Sequence, residues 1–235
     1  MPKTFDTQSA AILDFYRNLR PRFRMGEGIS IMNPYKVSAT WELASRFYEK
    51  FYADSRPRTY IFGINPGRFG AGVTGVPFTD PIRMAEKCGI PNDWRQQAEL
   101  SSLFVYDMIE GYGGVKAFYD QFYITAVFPL GFTRHGKNLN YYDDKELIRT
   151  AGPFILKCIR RQLATIPTGS TCYCLGEGEN FSQFSRINDQ HGFFKEIIPL
   201  PHPRWVMQYR RKKIKEYVEL YVEKLKNPGL AGSAG

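Results

Sequence analysis

A chain of 235 residues, 43% hydrophobic and 15% aromatic, can bury a substantial core, which excludes a disordered segment and suits one medium-sized domain. No apolar run approaches the roughly 20 residues of a membrane span, and MPKTFDTQSA at the start lacks the apolar centre of a secretory signal. An intracellular soluble protein is expected, cytoplasmic in a bacterium or nuclear in a eukaryote, and the formal net charge of +9 favours a polyanionic partner such as nucleic acid.

Ile12, Phe15, Tyr16 and Leu19 recur at i, i+3, i+4 and i+7 and predict a helix, followed by a cationic group of Arg20, Arg22 and Arg24. Residues 38–53 predict a second helix carrying Trp41, Leu43, Ala44, Phe47 and Phe51. The apolar run 59–64 predicts a strand, and it opens into the long glycine-rich loop of YIFGINPGRFGAGVTGVPF. So little side chain in a loop lets backbone approach something closely. A helix around 97–110 precedes a second strand at 122–128. The helix around 144–164 contains Pro153, which should break or kink it. Strands Thr171–Leu175 and Glu196–Leu200 follow, and Ile214, Tyr217, Val218, Tyr221, Val222 and Leu225 form one stripe of a last helix. One domain over 1–228 is expected, with GLAGSAG at 229–235 as a flexible tail.

Strands alternating with helices predict an α/β fold, a three-layer α/β/α sandwich around a mostly parallel four-stranded sheet. Ligands of such folds bind outside the carboxyl ends of the strands. Those ends carry Asn65-Pro66-Gly67, Pro129-Leu130-Gly131, Gly176-Glu177-Gly178 and His202-Pro203, so glycine-rich loops with one asparagine and one histidine converge on one edge.

Other chemistries fit poorly. Cys88, Cys158, Cys172 and Cys174 have no paired metal-type spacing and read as buried thiols, with no metal and no disulfide. Gly176 to Phe181 begins like a dinucleotide fingerprint but places Phe181 where helix and strand must approach closely. The Gly63–Gly70 loop lacks the Gly-Lys-Ser/Thr ending of a phosphate-binding loop. Of the three histidines, His135 and His191 sit in polar loops, whereas His202 ends a strand between two prolines that fix its backbone.

The segment Gly63-Ile64-Asn65-Pro66-Gly67-Arg68-Phe69-Gly70, continued through Thr74-Gly75-Val76-Pro77-Phe78, resembles the first motif of the single-strand-selective monofunctional uracil-DNA glycosylases. His202-Pro203-Arg204 is similar to a shortened form of that family's second motif, His-Pro-Ser-Pro-Arg. Pro129-Leu130 and Gly136-Lys137-Asn138-Leu139 resemble a further family segment. The matched stretches span about residues 59 to 225 in order, and their departures suggest a divergent branch.

The resemblance implies a uracil-DNA glycosylase-like fold and a metal-free, cofactor-free monomeric hydrolase. It would excise uracil, and 5-substituted uracils such as 5-hydroxymethyluracil, from single- or double-stranded DNA in base excision repair. The flipped base would lie in a tight pocket made by Gly63, Pro66, Gly67, Phe69, Ala71, Phe78, Thr125 and Ala126, with Phe78 as stacking face and Phe69 as wall. His202 would donate a hydrogen bond to the uracil oxygen as negative charge gathers there, and Asn65 would position the attacking water. With no lysine at the matched positions, a monofunctional enzyme leaving an abasic site is expected.

Where the family reads the uracil edge with an asparagine, this chain has Ala126, whose methyl group reads neither N3–H nor O4. Either discrimination is relaxed or lost, or the reading passes to backbone amides, to Thr125 or to a loop residue. Beyond His202, Arg204, Trp205, Met207, Tyr209, Arg210, Arg211, Lys212 and Lys213 interleave aromatic and apolar groups with cations. The resemblance implies that this element fills the gap left by the flipped base and grips phosphates. The plainer alternative buries Trp205 and leaves the cations solvated. Two other functions stay open: a non-catalytic nucleic-acid-binding protein, and a nucleoside or nucleotide hydrolase that would not need residues 203–213.

Overall fold

The computed structural model describes residues 4–227, and the expected tail at 229–235 lies outside them. Helix α1 (Gln8–Arg17) is capped by Thr7, whose hydroxyl accepts from the Ala10 N–H. Strand β1 (Ile29–Met32), helix α2 (Ser38–Phe51) and strand β2 (Thr59–Gly63) follow. Next come the short helices α3 (Ala71–Thr74) and α4 (Pro81–Glu86), then α5 (Leu100–Tyr112) and α6 (Val115–Gln121). Strand β3 (Phe122–Ala126) leads to the small strands β4 (Gly131–Arg134) and β5 (Lys137–Leu139). Helix α7 (Lys145–Leu163), β6 (Thr171–Leu175), α8 (Glu179–His191), β7 (Glu196–Leu200), α9 (Pro203–Tyr209) and α10 (Ile214–Lys226) complete the described chain.

The four strands expected from apolar runs form one all-parallel sheet in the order β3-β2-β6-β7. Both of its faces are covered, as parallel sheets require. On one face Tyr60 donates its hydroxyl to the Gln162 carbonyl of α7 (2.6 Å), and the Phe62 ring lies 4.6 Å from Phe184 of α8. On the other, Phe122 packs 5.3 Å from Tyr112 of α5 and 5.0 Å from Phe118 of α6. There Tyr173 also donates to the Lys224 carbonyl of α10 (2.7 Å). The result is the expected three-layer sandwich, and all four cysteines are buried free thiols. Among the described residues no helix is long and apolar enough to cross a membrane.

A second sheet, antiparallel β1-β4-β5, went unanticipated. Its strands are three or four residues long, and β5 carries the exposed polar pair Lys137 and Asn138, so no apolar run announces them. The two-residue turn His135-Gly136 has positive φ at both positions (47° and 74°), the conformation that matches strand twist in a tight hairpin.

Pro153 does not break α7, which runs without interruption from 145 to 163. Pro153 and Arg149, whose carbonyl loses its donor, both lie on the exposed face, where the carbonyl can be hydrated in place of the missing bond. Replacing Pro153 with alanine should therefore stabilise the fold, by at most about 3 kcal/mol, seen as a higher midpoint in thermal unfolding. An unchanged or lower midpoint would contradict this reading of the helix.

Candidate active site at the carboxyl edge of the sheet

Because all four strands run the same way, their carboxyl ends open on one cleft of about 830 Å³. Asn65 after β2, Ala126 at the end of β3, Gly176 after β6 and His202 after β7 all line it.

The loop after β2 is built around two bare positions. A side chain on Gly63 would come within 3.1 Å of the Phe78 ring and 3.4 Å of the Thr125 carbonyl, so glycine lets that ring seat against the end of β2. Phe78 itself has φ of +52°, a left-handed conformation that a bulky residue adopts only when its surroundings impose it. Its ring centroid lies 6.0 Å from that of His202, tilted by 56°. Pro66, Gly67, Phe69 and Ala71 also line the cleft. Phe69 stands on the outer rim, 46% exposed, with the Arg68 guanidinium 5.0 Å from its ring centre.

Asn65 is clamped at both ends of its amide. Its Nδ2 donates to the Leu139 carbonyl (3.2 Å), and its Oδ1 accepts from the Tyr141 N–H (3.0 Å). One N–H and one lone pair remain, enough to hold a water. An amide has no useful basicity at neutral pH, so such a group can orient a water but cannot deprotonate it.

His202 caps α9. Its Nδ1 accepts the Arg204 N–H (3.1 Å), and Pro203 occupies the first helical position, where no N–H is needed. A nitrogen that accepts carries no proton, so the neutral ring holds its proton on Nε2. Burial in the cleft wall lowers the imidazole pKa from 6.5 to about 4, and the Arg204 cation adds to the effect. The site therefore presents a neutral N–H donor through the physiological range.

The structure separates Thr125 from Ala126. Alternation along β3 turns Thr125 towards α7, where its hydroxyl donates to Gln162 Oε1, and leaves Ala126 on the Gly63 side. Thr125 lines the cleft, but its hydroxyl proton is spent on Gln162, which argues against its side chain taking over the edge reading. Met207 is also not where a DNA contact would need it: it is 7% exposed, on the inner face of α9 with Val206. Trp205 and Tyr209, spaced i, i+4, occupy the outer face at 37% and 65% exposure and line the rim with Arg204. The Arg210 guanidinium sits 4.7 Å from the Trp205 ring centre. Arg211, Lys212 and Lys213 form an exposed 3-10 turn beyond the cleft. His135 in its hairpin and His191 at the end of α8 stay outside the cleft too.

Sequence reasoning gave no site role to Glu99, Ser101, Asn138 or Asn180, all of which line the cleft, although Asn138 lies in the matched family segment. Asn180 is fully engaged, donating to the Leu175 carbonyl (3.0 Å) and accepting from the Tyr141 hydroxyl (3.0 Å). Glu99 precedes α5 without capping it, and no local pattern marks it. Burial raises its pKa to about 7; the Asp80 carboxylate adds to this, while Arg204 opposes it. Among the described residues no cluster of three or more His, Cys, Asp or Glu is placed to hold a metal ion.

The two shifts act on stability in opposite senses. His202 resists protonation when folded, so stability falls as pH drops from 6.5 towards 4; Glu99 resists ionisation, so its contribution is complete below about 4.5 and is lost as pH rises through 7. A Glu99→Gln variant, permanently neutral there, should unfold at a higher temperature than wild type at pH 8 and at nearly the same temperature at pH 4. Calorimetry at both values checks it, and an equal gain at both would contradict the assigned burial of the charge.

Comparison with known proteins agrees with this geometry. The family model described as the uracil DNA glycosylase superfamily matches residues 49–226. The crystal structure of wild-type SMUG2 from Pedobacter heparinus superposes with a TM-score of 0.93 at 42% identity, covering 96% of this chain and 100% of that one. A search of curated proteins finds no significant match. A family match over most of the chain, on a cleft that holds both of its motifs, leaves one assignment: the chain belongs to the uracil DNA glycosylase superfamily and is a DNA glycosylase.

Proposed function

We propose that the enzyme hydrolyses the N-glycosidic bond of uracil in DNA, and of uracils with a small 5-substituent, leaving an abasic site for base excision repair. The observation that carries this reading is the convergence of a clamped Asn65 amide and a neutral His202 N–H donor in one cleft beside the Phe78 ring. Cleavage places positive charge on the sugar and negative charge on the departing base. A neutral Nε2–H of His202 stabilises that negative charge at a uracil oxygen more in the transition state than in the ground state, which is what accelerates a reaction. Asn65 holds the water that captures the sugar cation. None of the described residues lining the cleft is a lysine, which supports simple hydrolysis over a covalent imine route.

The base must leave the stack to reach this cleft. Trp205 and Tyr209 on the rim suit the space vacated in the duplex, and Arg204, Arg210 and the 211–213 cations suit the flanking phosphates. An enzyme of free nucleosides has no use for two exposed aromatics at its rim, which favours DNA.

Asn65→Ala and His202→Ala should each slow single-turnover excision of uracil by about a hundredfold or more, while affinity for the same oligonucleotide stays close to wild type. Wild-type rates in both variants would refute the assigned roles.

A further inference from the structure

Ala126 offers a methyl group and the Thr125 hydroxyl is taken by Gln162, so β3 supplies no side chain that can read the hydrogen-bonding edge of a base. The structure places two other polar groups beside the bare face of Gly67. A Cβ built there would lie 3.4 Å from Asn138 Nδ2 and 3.7 Å from Glu99 Oε1. All three residues line the cleft.

Both groups are held in place and both have capacity to spare. The Asn138 Oδ1 accepts from the Arg68 N–H (3.3 Å), which aims the amide and leaves its Nδ2 without a partner among the described residues. The Glu99 N–H donates to Asp80 Oδ2 (2.9 Å), fixing the start of α5, while the Glu99 carboxyl makes no hydrogen bond among the described residues. Gly70 is needed for that placement, because a Cβ there would collide with Glu99 Oε2. The two groups thus arise from different places, the residue before α5 and the β4–β5 hairpin, and meet at the glycine loop.

Resting on the glycosylase reading above, we propose that Asn138 and Glu99 together read the base edge that Ala126 leaves unread. Uracil presents O4 as an acceptor and N3–H as a donor. Asn138 Nδ2 donates to O4 and a Glu99 oxygen accepts N3–H, the same pair of bonds that one asparagine amide would make. Cytosine reverses both: its amino group meets the Asn138 donor, and its bare N3 meets the Glu99 oxygen. Polar groups left unpaired once a bound base covers them reject the wrong base far better than a shape mismatch does. Burial raises the Glu99 pKa to about 7; both of its forms offer an oxygen to uracil N3–H, and the ionised form, which has no proton to give, is the one that rejects the bare N3 of cytosine.

The test uses single-turnover excision from oligonucleotides carrying uracil, N3-methyluracil or 4-thiouracil, by wild type, Glu99→Ala and Asn138→Ala. N3-methylation removes the donor and sulfur at C4 weakens the acceptor. Each change should slow the wild type by about tenfold or more, the loss of one hydrogen bond. Glu99→Ala should be slower on uracil yet lose little further on N3-methyluracil, and Asn138→Ala should be likewise indifferent to 4-thiouracil. Glu99→Gln, which keeps an acceptor, should recover most of the uracil rate. A merely structural role would slow all three substrates alike, so equal sensitivity in variants and wild type overturns the proposal. So does a wild type indifferent to both changes, with no variant needed. A wild type that excises no uracil at all overturns the glycosylase reading, and this inference with it.

Discussion

The hydrogen bond from the Arg204 N–H to His202 Nδ1 fixes the donor that the histidine presents at the cleft. It exists because a parallel strand, β7, ends in Pro201-His202-Pro203. The two prolines hold His202 extended (φ −66°, ψ 131°), and Pro203 starts a helix whose first free N–H finds the imidazole. One bond caps the helix and leaves the proton on Nε2, the ring nitrogen that the helix does not engage. Burial then keeps the ring neutral. A neutral donor suits this chemistry, since it is matched to charge that is only developing and does not bind a ground-state anion more tightly than it needs to.

The glycines answer to the same geometry from the other side. Gly63 is bare so that the Phe78 ring can press on the strand end, and Phe78 accepts a left-handed backbone to put it there. Gly67 is bare beside Asn138 and Glu99, and Gly70 is bare to admit the Glu99 carboxyl. The close approach expected of this bare loop is met by neighbouring side chains, each seated where a glycine leaves room. Asn65, between the strand and these glycines, is tied across to Leu139 at the end of β5 and to Tyr141 just beyond it, so the smaller sheet braces its amide.

Much of this was legible in the sequence, for identifiable reasons. The four strands of the main sheet are buried on both faces and so read as apolar runs; β6 and β7 fall on the expected residues. Their shared direction predicted that Asn65 and His202 would meet. What stayed hidden depends on tertiary contact. Nothing local tells that α7 turns Pro153 to solvent, that Met207 faces inward while Trp205 and Tyr209 two residues to either side face out, or that Thr125 serves Gln162. Glu99 and Asn138 are 39 positions apart by their numbers and carry no shared pattern; only the folded loop at Gly67 brings them together.

Nitrogen-15 NMR of the imidazole observes the His202 proton directly. At pH 7 His202 should be neutral, with Nε2 protonated and Nδ1 in the shift range of an unprotonated nitrogen. A ring protonated on both nitrogens at that pH, or one carrying its proton on Nδ1, would contradict it.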